Sequence, residues 1–397
     1  MESFAPTPLR VLLYSHDSQG LGHLRRNLAI AHAMAQQLPR RAGRPVTGML
    51  ITSLDVPASD LPEGFDVVRL PGVTKTRGAY GPREVWVPMG DLIDLREQLL
   101  SAAVVGFEPD LVVVDRHIYG VDSELRSPLH RLRDARPDAR VVLGLRDVLD
   151  SPDVVSREWA SLGDLRQLRS LVDRIWVYGD PAVHDLRETH EIPGVLHDLV
   201  EYTGYLSSGR RVRPATALSE AGPYVLTMVG GGSDGRLLCE AAARATVLVG
   251  YRHILVTGPQ MSAHDHRAVA LAATPRTEVV HIVPDGLAAI RGASGVVSMA
   301  GYNTVTEALS TDVPVLLVPR EKPRLEQTIR SRALQRQGVV DVLTAAELSP
   351  EAVAVWMAGA VHRSVDRSGL DRRGLARVPR LAAGLLPSAL EVRDVAV

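Results

Sequence analysis

Short runs of β-branched and aliphatic residues recur along the chain, separated by longer stretches with apolar positions every three to four residues. The runs at 10–16 (RVLLYSH), 45–53, 65–71, 109–115, 139–147 and 174–179 predict strands, and 22–38, 91–105 and 181–190 predict helices between them. Near-continuous apolar strands are buried on both faces, which implies parallel sheets covered by helices. The pattern lapses at 207–223, SSGRRVRPATALSEAGP, a polar stretch rich in Gly, Pro and Arg that reads as a linker. Alternation resumes with 224–230, 253–258, 277–283, 295–300, 313–319 and 339–344. The expectation is an α/β protein with two doubly wound, Rossmann-like domains, 1–206 and 224–375. An apolar tail, 376–397, is expected to pack back toward the first domain.

Length and composition agree with that division. At 397 residues the chain is too long for one ordinary domain. Apolar residues make up 45%, charged residues 23% and aromatics 4%, the profile of a soluble protein with an aliphatic core. A net charge of −1 provides no global field to recruit nucleic acid or anionic lipid. The basic residues are almost all arginine, Lys75 and Lys322 excepted, which reads as coding bias. Cys239 is the single cysteine, so neither an intrachain disulfide nor a cysteine-rich metal site is available. The first residues, MESFAPTPLR, lack a signal pattern, and no run approaches the ~20 apolar residues of a membrane span. A cytoplasmic location without an integral membrane segment is expected.

Ligands of open α/β sheets bind beyond the carboxyl ends of the strands, so the loops there carry the candidate chemistry. In the loop SHDSQGLGHLRRN, 15–27, Gly20 and Gly22 let a ligand approach backbone amides at the positive end of a helix, or serve a plain tight turn. His23 lies in the first helical turn, where the macrodipole favours a neutral imidazole able to act as a base. If 109–115 is the next strand in the sheet, Asp115 emerges beside His23 at the switch point and can orient it. The alternative is a capping Asp and a His bonded to a carbonyl. The loop VGGGSDGRLL, 229–238, formally matches GxGxxG, but the next strand ends in LVTGP without the acid a nicotinamide site wants. It reads as a close-approach turn in which Gly231 and Ser233 could still meet a phosphate or sugar.

A third loop opens GYNTVTEAL, 301–309. Gly301 lets the backbone come close, Asn303 and Thr304 can cap the helix or donate to phosphate oxygens, and Glu307 can accept from ribose hydroxyls. Equally, Thr304-x-x-Glu307 is a capping-box match. The long loop 72–90 carries Tyr80 and Trp86 and either folds over an acceptor, with Arg25 and Arg26 reading an anionic group, or is ordinary surface.

Gly301-Tyr302-Asn303-Thr304 with Glu307-Ala308-Leu309 resembles the donor signature of nucleotide-sugar glycosyltransferases of the GT-B fold, family 28 among them, and "QGLGH" is similar to their N-terminal glycine loop. "SHDSQGLGHLRRNLAIA", "LRDVLD" and "SMAGYNTVTEAL" together look like a bacterial branch of predicted glycosyltransferases. The resemblance implies a GT-B protein whose two domains face across a cleft and move a sugar from a nucleoside-diphosphate sugar to a small-molecule acceptor without metal or resident cofactor. His23 and Asp115 would be catalytic, and the configuration would invert. The donor would meet Gly231, Ser233, Val283 in the 281–286 segment, Gly301, Tyr302, Asn303, Thr304, Glu307, Glu326 and Gln327. Met299 stands where many relatives keep a phosphate-binding His, which shifts that task to helix amides or to Arg236 or Arg320. The acceptor would meet Gly20, Gly22, Arg25, Arg26, Tyr80, Trp86 and His117. A sugar-nucleotide 2-epimerase and a non-catalytic nucleotide-sugar binder are the alternatives.

Overall fold

The computed structural model describes residues 7–17, 20–76, 79–212 and 221–386, with the backbone alone at 75 and 76. The first half runs β1 (Leu9–Tyr14), α1 (Gly22–Ala42), β2 (Val46–Thr52), β3 (Phe65–Arg69), β4 (Val73–Thr76), β5 (Ala79–Pro82), α2 (Met89–Phe107), β6 (Leu111–Asp115), α3 (Arg126–Ala135), β7 (Arg140–Arg146), α4 (Pro152–Ser161), α5 (Leu165–Leu171), β8 (Arg174–Tyr178) and β9 (Val200–Tyr202). All but the β4–β5 hairpin form one parallel sheet, ordered β3-β2-β1-β6-β7-β8-β9. Every residue of β6 is buried, and in β1 only Arg10 is not, as a sheet covered on both faces requires. Helix α1 buries Leu24, Ile30, Ala31, Met34 and Leu38, one stripe at helical spacing, and ends at Gly43 in the left-handed region, φ 66°.

The second half runs β10 (Tyr224–Met228), α6 (Arg236–Arg244), β11 (Arg252–Val256), α7 (Ala263–Ala272), β12 (Thr277–Val280), α8 (Gly286–Gly292), β13 (Gly295–Ser298), α9 (Tyr302–Leu309), β14 (Val315–Leu317), α10 (Glu326–Arg336), β15 (Asp341–Val342), α11 (Pro350–Ala360) and α12 (Gly374–Leu385). Its parallel sheet is ordered β12-β11-β10-β13-β14-β15. One apolar cluster runs from Leu9, Leu13 and Ile30 of the first domain through Tyr178 and Tyr205 to Tyr302, Val305 and Leu309 of the second. The two domains are therefore packed against each other around α9.

The chain passes between the sheets twice, and the two passages are stitched together. Leu206 bridges Arg373 in antiparallel fashion, with Tyr205 N–H donating to Asp371 O (2.8 Å), Ser208 N–H to Arg372 O (2.9 Å) and Gly374 N–H to Tyr205 O (3.0 Å). Helix α12 then lies on α1, burying Leu375, Val378 and Ala382. Residues 213–220 of the expected linker and 387–397 of the expected tail lie outside the described residues. No described helix is long and apolar enough to cross a membrane.

Three local features differ from expectation. Segment 181–190 is a series of turns rather than a helix. There Asp180 and Asp185 accept from the backbone N–H groups of Ala182 and Arg187, local bonds that compete with the helical ladder. The 72–90 loop contains the β4–β5 hairpin, and β9 adds an edge strand; both are too short and mixed in polarity to stand out as apolar runs.

Candidate functional site: the cleft between the strand ends

The first sheet reverses direction between β1 and β6, and the helix that follows β1 begins at that switch point. Asp115 is the last residue of β6 and His23 the second of α1. Their side chains meet, Nδ1 to Oδ2, at 2.9 Å. Arg26, one turn further along α1 and 1% exposed, grips the same carboxylate through Nε (3.2 Å) and Nη2 (2.6 Å). Burial pushes the Asp115 carboxyl up, but the charges of Arg26 and His23 outweigh it and hold the group below the usual carboxylate range. An ionised Asp115 accepts a hydrogen bond from Nδ1–H of the neutral imidazole, which leaves Nε2 as an acceptor with no partner among the described residues. Arg26 thus serves Asp115 and does not read an acceptor, a correction that follows from its turning inward with Asn27 and Ile30 on the buried face of α1.

Around this pair stand His117 and Tyr80, both expected at the acceptor, together with His16 and Asp17, which the sequence had not singled out. His16 and His117 lie ring to ring at 4.5 Å, and Tyr80 Oη meets His16 Nε2 at 3.1 Å. Burial drives both imidazoles well below their ordinary pKa, so they are neutral. His16 Nδ1 and Asp17 Oδ1 are sealed from solvent without a partner, while Thr52 donates to the other Asp17 oxygen. Their only signal was polar SHD at the end of an apolar strand. Arg83 donates to the carbonyls of Asp17 (2.9 Å), Ser53 (3.1 Å) and Val73 (2.9 Å), and so ties the 72–90 loop to the end of β1. Trp86, expected over an acceptor, is fully exposed and covers nothing.

On the other side of the cleft, the second sheet reverses between β10 and β13, and α9 begins there with Gly301 as its N-cap and no side-chain cap. Its first amides have no side-chain cap, and a Cβ added at Gly301 would meet nothing within 4 Å. No capping box forms. The helix starts at Tyr302, so Thr304 is already inside it, and Glu307 is engaged elsewhere. Glu307 Oε1 accepts from Arg25 Nη2 (2.6 Å) across the cleft and from Arg210 Nη1 (3.3 Å), while its Oε2 is sealed without a partner. Arg25, expected on the acceptor, thus reaches α9 of the second domain. Gly286 adjoins this carboxylate and brings the start of α8, after Val283, alongside it. Asn303 Nδ2 donates to Gly22 O (2.8 Å), joining the two glycine loops, and Gly20 lies beside Gln260.

Tyr302 is not a ligand-facing residue. Its hydroxyl donates to Tyr178 O (2.7 Å), and its ring lies between the guanidinium groups of Arg26 (5.4 Å) and Arg330 (5.7 Å). Arg236 is also misplaced by sequence reasoning, being exposed and committed to Glu240 and Asp265. Arg320 does stand at the strand ends, bonded to Asp234 of the glycine loop (2.7 Å) and to Glu326 (2.5 Å), and its backbone N–H donates to Gln327. Glu326 Oε2 is left sealed and unpartnered. Ser233 is exposed beside them.

The 229–235 loop is the close-approach turn that the sequence suggested. Gly232 sits at φ 94°, and a Cβ there would fall 2.2 Å from Thr257 O. Gly232→Ala combines a left-handed strain with a backbone clash, and we expect it to lower stability by at least ~2 kcal/mol, read as a drop in Tm. Gly231→Ala meets only the flexible end of Gln260 and should cost far less.

The LRDVLD segment clasps the domains. Arg330 of α10 grips Asp147 through Nε (2.9 Å) and Nη2 (2.6 Å) and donates to Ala300 O (2.8 Å), just before the α9 turn. Asp150 accepts from Leu325 N–H (2.9 Å) and Arg324 (3.2 Å), and Arg324 also holds Glu158 (2.9 Å), which Arg116 shares.

Residues 226–358 match the model of the glycosyltransferase family 28 C-terminal domain. That match spans about a third of the chain and identifies the second domain as similar to the family's donor-binding half, and the whole chain has the GT-B fold. Its fold is similar to that of the glycotransferase of kitacinnamycin, with a TM-score of 0.61, 18% identity, and 96% of this chain and 100% of that one covered. The spinosyn forosaminyltransferase SpnP gives a TM-score of 0.58 at 16% identity, and MurG of Acinetobacter baumannii 0.51 at 12%, each over 98% of both chains. The domain match and the fold together support transfer from a nucleotide-sugar donor.

Proposed function

We propose that the glycosyltransferase inverts the donor's anomeric configuration, with His23 as base and a small-molecule acceptor seated on the first domain. The observation that carries this reading is the His23–Asp115 pair, with Nε2 unpartnered beside the uncapped start of α9. Nε2 takes the proton of the acceptor's nucleophile as that atom bonds to the anomeric carbon. The bond from the same carbon to the diphosphate oxygen breaks on the opposite face, and the nucleoside diphosphate leaves. Direct displacement of this kind inverts the centre. The α9 amides and the excess positive charge of Arg25 and Arg210 around a single Glu307 favour the departing diphosphate. Glu307 Oε2 and the adjacent α8 start are suited to ribose and base, and Glu326 with Gln327 to sugar hydroxyls.

Incubating the protein with UDP-, GDP- and dTDP-sugars and an acceptor panel, then reading product configuration by NMR, tests the proposal; a retained anomer would overturn it. Glu307→Ala is expected to raise the donor dissociation constant by about tenfold or more, since a charge-assisted hydrogen bond contributes ~1.5–3 kcal/mol. Calorimetry checks this, and unchanged affinity would take Glu307 out of the donor site.

A further inference from the structure

The arginines at the domain interface are nearly all spoken for. Arg26 holds Asp115, Arg116 and Arg324 share Glu158, Arg324 also reaches Asp150, and Arg330 holds Asp147. Arg146 differs. Among the described residues it has no carboxylate within 4.0 Å and no hydrogen bond, and its Nε is sealed from solvent. It ends β7, two residues beyond Gly144, so its side chain leaves the sheet on the face of Gly144, which lies opposite Asp115. Burial holds its pKa down at about 10, eased only by Glu326 and reinforced by Arg330, Arg26 and Arg116, so it stays charged at neutral pH. Those neighbours locate it between the His23–Asp115–Arg26 group and Glu326, whose own charge is engaged by Arg320.

A half-buried guanidinium with its Nε sealed and no carboxylate in ion-pair contact gives up solvation that Glu326, engaged by Arg320, only partly replaces. Such a group is compensated when an anion enters. We infer that Arg146 binds a carboxylate or phosphate carried by the acceptor, which makes this an enzyme for acidic acceptors. The inference rests on the acceptor role proposed for the first domain. A planar guanidinium can take either anion through two parallel hydrogen bonds, at the end of the strand that pairs with the one bearing Asp115.

Inorganic phosphate titrated calorimetrically into protein saturated with UDP, GDP or dTDP, whichever binds, tests the site with the donor's diphosphate position already filled. The native complex should bind phosphate, Arg146→Gln should weaken that binding at least tenfold, and Arg146→Lys should fall between them. Nucleoside-diphosphate affinity should be equal in all three. Arg146→Gln should also keep or raise Tm, since it removes an unpaired charge, so weaker binding is not misfolding. Absence of phosphate binding to the native complex, or equal binding in Arg146→Gln, overturns the inference. So does a loss of nucleoside-diphosphate affinity in Arg146→Gln, which would assign the guanidinium to the donor. If none of the three diphosphates binds, the donor reading fails separately, and phosphate binding to the free protein decides the Arg146 site.

Discussion

Replacing His23 with alanine should lower kcat by roughly 100- to 10,000-fold, the range for a positioned general base, while the donor dissociation constant stays within about twofold. The split follows from where the side chain sits. Its Nδ1 is bound to Asp115 within the first domain, and the α9 turn and Glu307 belong to the second. Steady-state kinetics with calorimetry on the same variant separates the two quantities, and undiminished turnover would remove His23 from the mechanism. His23→Ala is a cleaner probe than Asp115→Asn. The latter also strips Arg26, almost wholly buried, of its counter-ion and mixes a folding defect with the catalytic one.

The second large effect concerns stability. Asp147→Ala leaves the Arg330 guanidinium buried and unpaired between the domains, and breaking a buried pair in this way costs ~3–5 kcal/mol. For domains of this size that corresponds to a Tm lower by roughly 6–20 °C, measurable by calorimetry. The double variant Asp147→Leu with Arg330→Met should recover most of the loss, because an apolar pair of similar volume carries no stranded charge. It should nevertheless bind donor less well, since Arg330 also holds the carbonyl of Ala300 in front of the α9 turn. A single variant as stable as the native protein would show that the clasp does not hold the domains.

The framework was legible because parallel strands buried on both faces announce themselves as apolar runs, and each of the twelve such runs became a strand. The hairpin at 73–82 and the edge strand at 200–202 were silent for the opposite reason, as short strands with half-exposed, mixed residues. His23 and Asp115 could be paired in advance because strand order brings the ends of β1 and β6 together whatever the side chains do. Arg26, Tyr302 and Arg236 were misjudged for a common cause. Spacing tells that a residue stands near a strand end, but the turn of its helix decides whether it faces cleft, core or solvent. Arg25 reaching Glu307, and Arg146 reaching no acid, depend on contacts between residues far apart in the chain, which no local pattern encodes.

The paired crossings at Tyr205–Ser208 and Asp371–Gly374 limit how the molecule can move. Two covalent crossings bonded side by side keep the bodies from sliding apart or tumbling independently, and leave rotation about that line, resisted by the Asp147–Arg330 clasp, as the least costly way to part them. A rotation of that kind would part the Arg25–Glu307 and Asn303–Gly22 contacts together, so the cleft would open as one unit rather than loop by loop.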